Sequence, residues 1–327
     1  MTAAALAPAP ARPRLVLSPD DDAILAARAT VRFHLRTFAA AEEDARAGEV
    51  EAVHQLRVAT RRLRAALRLF EPVLPGRFVR SAEEDLGWLA DAIGAVRDRD
   101  VLYAALKALA IRLEPDLRKA FGPVGAALHD ERTAALETLE TALDSDKCRR
   151  LLARLGAFVE GQTGAGAPRR LGDAAPALVG PLVRAVRRAG RRLEPDSLPA
   201  DFHRLRVRVK RLRYALETLC GVGGKPVRRL LRELEAVQDV LGEGQDAVTQ
   251  TAWLRRYAGG ENVRPATLLP VGAAMQALAR RGGKRRRKGF KAWRRLDDGG
   301  IFERALAALG AATRIRTRPR EARAKTA

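Results

Sequence analysis

The chain has 327 residues, 47% of them hydrophobic, and carries 61 Lys plus Arg against 39 Asp plus Glu, a formal net charge of +22. That apolar content excludes a chain disordered throughout, and the length allows two ordinary domains or one large unit made of two halves. Two cysteines, Cys148 and Cys220, with no C-x-x-C pair, exclude a disulfide framework and a zinc site built from cysteine alone, and point to a reducing compartment.

Residues 1–20 carry Pro8, Pro10, Pro13 and Pro19 with little periodicity and read as a flexible lead-in. The Ala/Pro-rich start lacks the basic stretch plus apolar run of a secretory signal, and no apolar run reaches membrane-spanning length. The expectation is a soluble, cytoplasmic protein without a membrane partner. From Ala23 onward apolar residues recur at three-and-four spacing, as in Leu86, Leu89, Ile93 and Val96, or Leu136, Leu139 and Leu143. Alternating apolar and polar runs are nearly absent, so the predicted fold class is all-α.

Pro and Gly cluster at Pro72 to Gly76, at Glu114-Pro115 and at Gly221 to Pro226, which read as turns between helices. The Gly/Ala/Pro-rich segment 161–176 is the expected connection between a first helical half, 21–160, and a second, 177–313. Residues 314–327 form a basic tail with no apolar face.

An internal repeat is the most informative feature. Val53-His-Gln-Leu-Arg-Val-Ala-Thr-Arg-Arg-Leu-Arg-Ala-Ala-Leu67 aligns without a gap on Phe202-His-Arg-Leu-Arg-Val-Arg-Val-Lys-Arg-Leu-Arg-Tyr-Ala-Leu216. Further on, Asp91, Gly94 and Asp98 correspond to Asp239, Gly242 and Asp246 at an offset one residue different. Two matches at nearly one offset imply a duplicated helical unit.

At about 100° per residue, Val53, Leu56, Thr60, Leu63, Leu67 and Phe70 form one stripe, and His54, Arg57, Arg61, Arg64 and Arg68 form another beside it. The second copy repeats this, with Phe202, Leu205, Val209, Leu212, Leu216 and Leu219 beside His203, Arg206, Lys210 and Arg213. Arg62 and Arg211 project to a different side of this wheel. Solvated helix faces interleave acids with bases, because like charges at i+4 destabilise a helix. Here no Asp or Glu falls between Glu51 and Glu71, or between Asp201 and Glu217, where the overall composition would place about four.

Across a cleft, unit charges about 8 Å apart at an effective dielectric near 20 repel by roughly 2 kcal/mol per pair. Such stripes call for a polyanion. His54 and His203 have no second ligand at metal spacing on their helices, which leaves them as structural residues or as donors to the same anion. The repeated carboxylates read as partners that orient the arginines rather than as a metal cluster. Tyr214 either donates to a phosphate oxygen or seals the packing. Lys284-Arg-Arg-Arg-Lys288, with Arg294 and Arg295, reads as a solvated loop or tail that adds nonspecific attraction. Trp88, Trp253 and Trp293 lie off the basic helices and read as packing residues.

The duplicated H-x-L-R-V-x-x-[RK]-R-L-R strings resemble the signature of the CHAD family, the conserved histidine α-helical domain. The resemblance continues through Ile93-Gly-Ala-Val-Arg-Asp-Arg-Asp-Val101 and Leu234-Glu-Ala-Val-Gln-Asp-Val-Leu-Gly242, and it covers roughly residues 21–313. It implies two four-helix bundles related by an approximate twofold axis around a basic cavity that binds inorganic polyphosphate. Carried over position by position, it implies contacts from His54, Arg57, Arg61, Arg62 and Arg64, and from His203, Arg206, Lys210, Arg211, Arg213 and Tyr214.

No E-x-E-x-K string of the triphosphate-tunnel enzymes to which family members are fused occurs here. Neither a phosphate-cradling Gly-rich loop nor a nucleophile motif is visible. The expected function is therefore noncatalytic polyphosphate binding, with recruitment to polyphosphate granules and no metal or other cofactor. The alternative is a nucleic-acid-binding protein that uses its general basic charge. The basic helices lack the aromatic stacking platforms and base-reading amides that nucleic-acid recognition favours.

Overall fold

A computed structural model describes residues 15–161, 169–261 and 263–314, the last three without side chains. Within them the chain is helical: α1 (Ala23–Arg46), α2 (Val50–Phe70), α3 (Gly76–Ala110), α4 (Pro115–Ala120), α5 (Gly122–Asp144) and α6 (Asp146–Val159) precede α7 (Leu171–Gly190), α8 (Pro199–Thr218), α9 (Cys220–Ala258), α10 (Pro265–Asp298) and α11 (Ile301–Arg314). A short 3₁₀ turn, Glu71–Val73, bridges α2 and α3. No described helix is long and apolar enough to cross a membrane.

Local chemistry sets the helix starts. The Asp22 carboxylate accepts from the N–H groups of Ile24 and Leu25 at the head of α1, and Ser145 Oγ accepts from Cys148 N–H at the head of α6. Proline occupies the first turn of α4, α5, α8 and α10, where its missing N–H costs nothing. Near the start of α9 the helix is broken by a kink at Gly224, whose φ of 59° a side chain would resist.

The neighbours of each helix recur in order. In the first half α1 packs on α2, α2 on α3, α3 on α5, and the fourteen-residue α6 lies against α1 and α3. In the second, α7 packs on α8, α8 on α9, α9 on α10, and the fourteen-residue α11 lies against α7 and α9. Each half thus adds a short closing helix to its four long ones. All twelve residues of the two stripes are buried, and the eleven apolar ones, all but Thr60, each contribute about 1.5–3 kcal/mol on removal from water.

Two joints connect the halves. At the first, α2 lies against α8, inside one apolar core that runs through both halves. At the second, the far ends of α3 and α9 meet α4, α5 and α10 in a separate cluster built from Leu102, Leu106, Phe121, Leu128, Trp253 and Leu278. There Trp253 Nε1 donates to the Glu131 carboxylate at 3.1 Å.

Three expectations need correction. The lead-in is not free along its length: Leu17 is buried, the Pro19 and Asp21 carbonyls accept from the N–H groups of Gly172 and Leu171, and Asp20 pairs with Arg170. Residues 1–14 lie outside the described residues. The connecting segment is shorter than 161–176, because α7 already begins at Leu171 and carries Pro176 within it; residues 162–168 lie outside the described residues. The Lys284–Lys288 run is not a loop but the middle of α10. Its glycines serve close approach: a Cβ at Gly289 would meet Leu241 of α9 at 2.6 Å, and one at Gly282 would meet Ala247 at 3.3 Å. Of the basic tail, all but Arg314 lies outside the described residues.

Candidate functional site

The α2–α8 joint brings the repeated basic stripes together. Lys210 sits at its centre, half-buried, and its ammonium is pushed down from 10.5 to about 7 by burial and by Arg206, Arg61, Arg57 and Arg213. Two of those cations come from α2 and two from α8, so both copies of the repeat act on one amine. Burial likewise lowers Arg61, which has Arg57, Arg213 and Arg62 as cationic neighbours.

Tyr214 is the hub between them. Its ring is buried, with the Arg61 guanidinium carbon 5.0 Å and that of Arg213 4.8 Å from its centroid. Cation–π attraction of this kind is worth about 1 kcal/mol or more when desolvated, which offsets part of the repulsion. The Tyr214 hydroxyl, Arg61 Nε and Arg206 Nε are buried without a hydrogen-bond partner. Buried donors left unmatched cost free energy, and few native folds leave them so.

The repeated glycines and aspartates position the arginines. Arg57 lies across α3 over Gly94, where a Cβ would come within 2.5 Å of its Nη1, and Arg206 lies across α9 over Gly242. Asp98 is ion-paired with Arg57, Oδ1 to Nη2 at 3.2 Å. At the matching place in the second half, Asp246 is raised by burial and lowered by Arg206 and Lys210 among its neighbours. The spacing Gly-x-x-x-Asp thus holds one arginine per half over a bare stretch of the adjacent helix.

The remaining predicted residues divide. Arg213 donates from Nε to Gln238 Oε1 at 3.0 Å and from Nη1 to Glu217. Arg62 reaches Glu217 from α2, with Nη2 to Oε2 at 3.1 Å, so this one carboxylate ties the halves together. Arg64 lies over Gly87. Exposed Arg211 faces Arg68, Arg208 and Arg64, a second group of cations with the Glu83 carboxylate as the anion among them. His54 is half-buried, whereas His203 is exposed and lines a small cleft with Phe202, Leu241 and Arg286.

Sequence reasoning missed Glu217, which stands at the boundary of the acid-free window and four residues after Arg213; that spacing was the available signal. It also missed His34, buried on α1 and pushed down to about 4 by burial and by Arg62. Nothing in the repeat marks His34.

Comparison with known proteins places this geometry. The structure resembles the crystal structure of the CHAD domain from the plant Ricinus communis, with a TM-score of 0.69 and 27% identity, covering 87% of this chain and 97% of that one. PptA from Streptomyces chartreusis shares the fold at a TM-score of 0.69 and 20% identity, covering 83% and 98%. Among curated proteins, uncharacterized protein Rv2226 of Mycobacterium tuberculosis H37Rv is 30% identical over 228 residues, and so is uncharacterized protein MT2285 of strain CDC 1551. The match takes in 66% of this chain but 42% of each relative, so the chain spans about two fifths of their length. The profile described as CHAD domain matches residues 29–255, from within α1 to within α9 and across both basic helices, and the chain belongs to the CHAD domain family.

Proposed function

We propose that the chain is a noncatalytic binding module for inorganic polyphosphate, with the polymer held at the α2–α8 joint and the protein recruited to polyphosphate granules. The observation that carries this reading is Lys210, an amine driven to about 7 by burial and by arginines from both halves. A string of phosphoryl groups supplies the charge density that returns it to the ammonium form, and planar guanidinium groups suit phosphate oxygens bidentately. The unpartnered Arg61 and Arg206 Nε–H groups and the Tyr214 hydroxyl supply further donors. In this reading His54, Arg62, Arg64, His203 and Arg211 extend the track on either side. The binding unit runs over 21–313, beyond the matched 29–255, because α10 and α11 pack on α9, and its halves are related by an approximate twofold axis.

The test is titration calorimetry with polyphosphates of defined length across salt concentrations, in which the slope counts ion contacts. Arg57→Glu with Arg206→Glu should abolish binding while circular dichroism stays unchanged. Duplex DNA that displaces a short polyphosphate from this site at equal phosphate concentration would overturn the preference. Orthophosphate released from pure polymer by the purified protein would overturn the noncatalytic reading.

A further inference from the structure

From residue 262 to residue 296 the sequence has no Asp or Glu, where its overall composition would place about four. Nearly all of that window is α10. Its bases divide by direction. Arg281 and Arg285 face α9, where Glu243 accepts a hydrogen bond from Arg281 at 3.1 Å and is ion-paired with Arg285 at 2.7 Å. Lys284, Arg287, Lys288, Lys291, Arg294 and Arg295 are exposed, and among the described residues none of the six is ion-paired. The carboxylate that neutralises the inner flank leaves the outer face charged.

The six form a single face. At about 100° and 1.5 Å per residue they span roughly 16 Å of helix and a wedge of about 120°, one cation per roughly 3.3 Å. Arg287 and Arg294 stand at one edge of the wedge, Lys288 and Arg295 at the other, and exposed Asp298 marks its end. Holding six like charges on one face costs the helix a few tenths of a kcal/mol at each i+4 pair. Nothing in the packing recovers that cost.

We propose that this outward face of α10 is a second anion-binding surface, which takes the sugar-phosphate backbone of duplex nucleic acid irrespective of base sequence. With both strands counted, a duplex carries one phosphate per about 1.7 Å of axis, so phosphates outnumber the cations along the length of the face. The face is convex, hydrated and two rows wide, so it meets phosphates on both sides of a groove, whereas a single file of phosphates would leave one edge unused. A lipid surface fits less well. Leu278, Trp293 and Leu296 of α10 are buried in the bundle, and beside Lys291, Arg294 and Arg295 only the half-buried ring of Phe290 reaches the surface, too little for the continuous apolar face that enters a headgroup layer. No aromatic residue is exposed along the stripe for stacking or wedging, so recognition is of charge and not of bases.

This surface is independent of the polyphosphate reading, and one pair of variants separates them. Fluorescence anisotropy with a labelled mixed-sequence 20-base-pair duplex would be followed over about 0.05 to 0.2 M salt. In the full chain, Lys284→Gln, Arg287→Gln, Lys288→Gln and Lys291→Gln together should flatten the slope of log K against log salt by about 3.6, at 0.9 per lost contact. Duplex affinity should fall by about a hundredfold or more, and affinity for a short polyphosphate should stay unchanged. Arg57→Glu with Arg206→Glu should do the reverse. The inference is overturned if the wild type fails to bind duplex, if the fourfold variant binds it as the wild type does, or if the Arg57/Arg206 variant loses it. It is equally overturned if vesicles containing phosphatidylserine are bound and the duplex is not. If polyphosphate binding fails while the α10 variant still loses the duplex, the earlier reading falls and this one stands.

Discussion

The amine of Lys210 makes affinity at the α2–α8 joint a function of pH. In the free protein it titrates at about 7, lowered from 10.5 by burial and by Arg206, Arg61, Arg57 and Arg213. Phosphates placed among these cations restore the ammonium, so above neutral pH the complex takes up a proton that the free protein lacks. Affinity therefore falls as pH rises. With a free value of about 7 and a bound value at or above 10.5, linkage gives a drop of about 20-fold between about pH 7.5 and about pH 9. That range lies above the one in which an ordinary histidine titrates.

Calorimetry at about pH 8.5 in two buffers of different ionisation enthalpy should register uptake of about one proton per protein. Lys210→Met should bind with a flat profile. Lys210→Arg, charged throughout, should also be flat but should exceed the wild type at the alkaline end. The free protein shows the opposite sign in stability. Between about 7 and 10.5 the unfolded chain holds the proton and the folded one does not, so the Lys210 contribution to stability rises with pH across that window. A wild-type affinity flat from about pH 7.5 to about pH 9, with no proton uptake, would refute the assignment of an anion to this amine.

Two glycine substitutions separate binding from folding. In Gly94→Ala the new Cβ would lie 2.5 Å from Arg57 Nη1, at the flexible end of a long side chain that can swing away. The helix gains about 0.5–1 kcal/mol from the change, so the urea midpoint should hold or rise while polyphosphate affinity drops by about tenfold. In Gly190→Ala the Cβ would lie 1.9 Å from the ring of Trp293, which is fully buried and cannot retreat. That substitution should destabilise by about 1–3 kcal/mol in urea denaturation, and an unchanged midpoint would mean that α7 and α10 are not in the contact described.

The helical class was legible because it rests on periodicity, a property a sequence carries on its surface. The apolar stripe from Val53 to Phe70 and its copy from Phe202 to Leu219 are buried at every position named. The repeated aspartates read as partners that orient the arginines, and Asp98 is ion-paired with Arg57. A single wheel could not show which cations meet across the joint, because that depends on how α2 and α8 pack. Lys210 and Arg211 are adjacent in sequence yet face different groups of arginines. Glu217 escaped because its two partners lie on different helices, Arg62 on α2 and Arg213 on its own. The charge run misled the reading of Lys284 to Lys288 as a loop, because density of charge says nothing of α10, whose Gly282 and Gly289 leave space for α9.

Because the halves are fastened at both the α2–α8 contact and the Trp253 cluster, neither can swing about the other without exposing a core. Guanidinium groups on such a frame are aligned before any ligand arrives. For the proposed polyphosphate, the order lost on association is then chiefly that of the polymer, so stiffening the polymer, more than loosening the protein, is the change expected to tighten the complex.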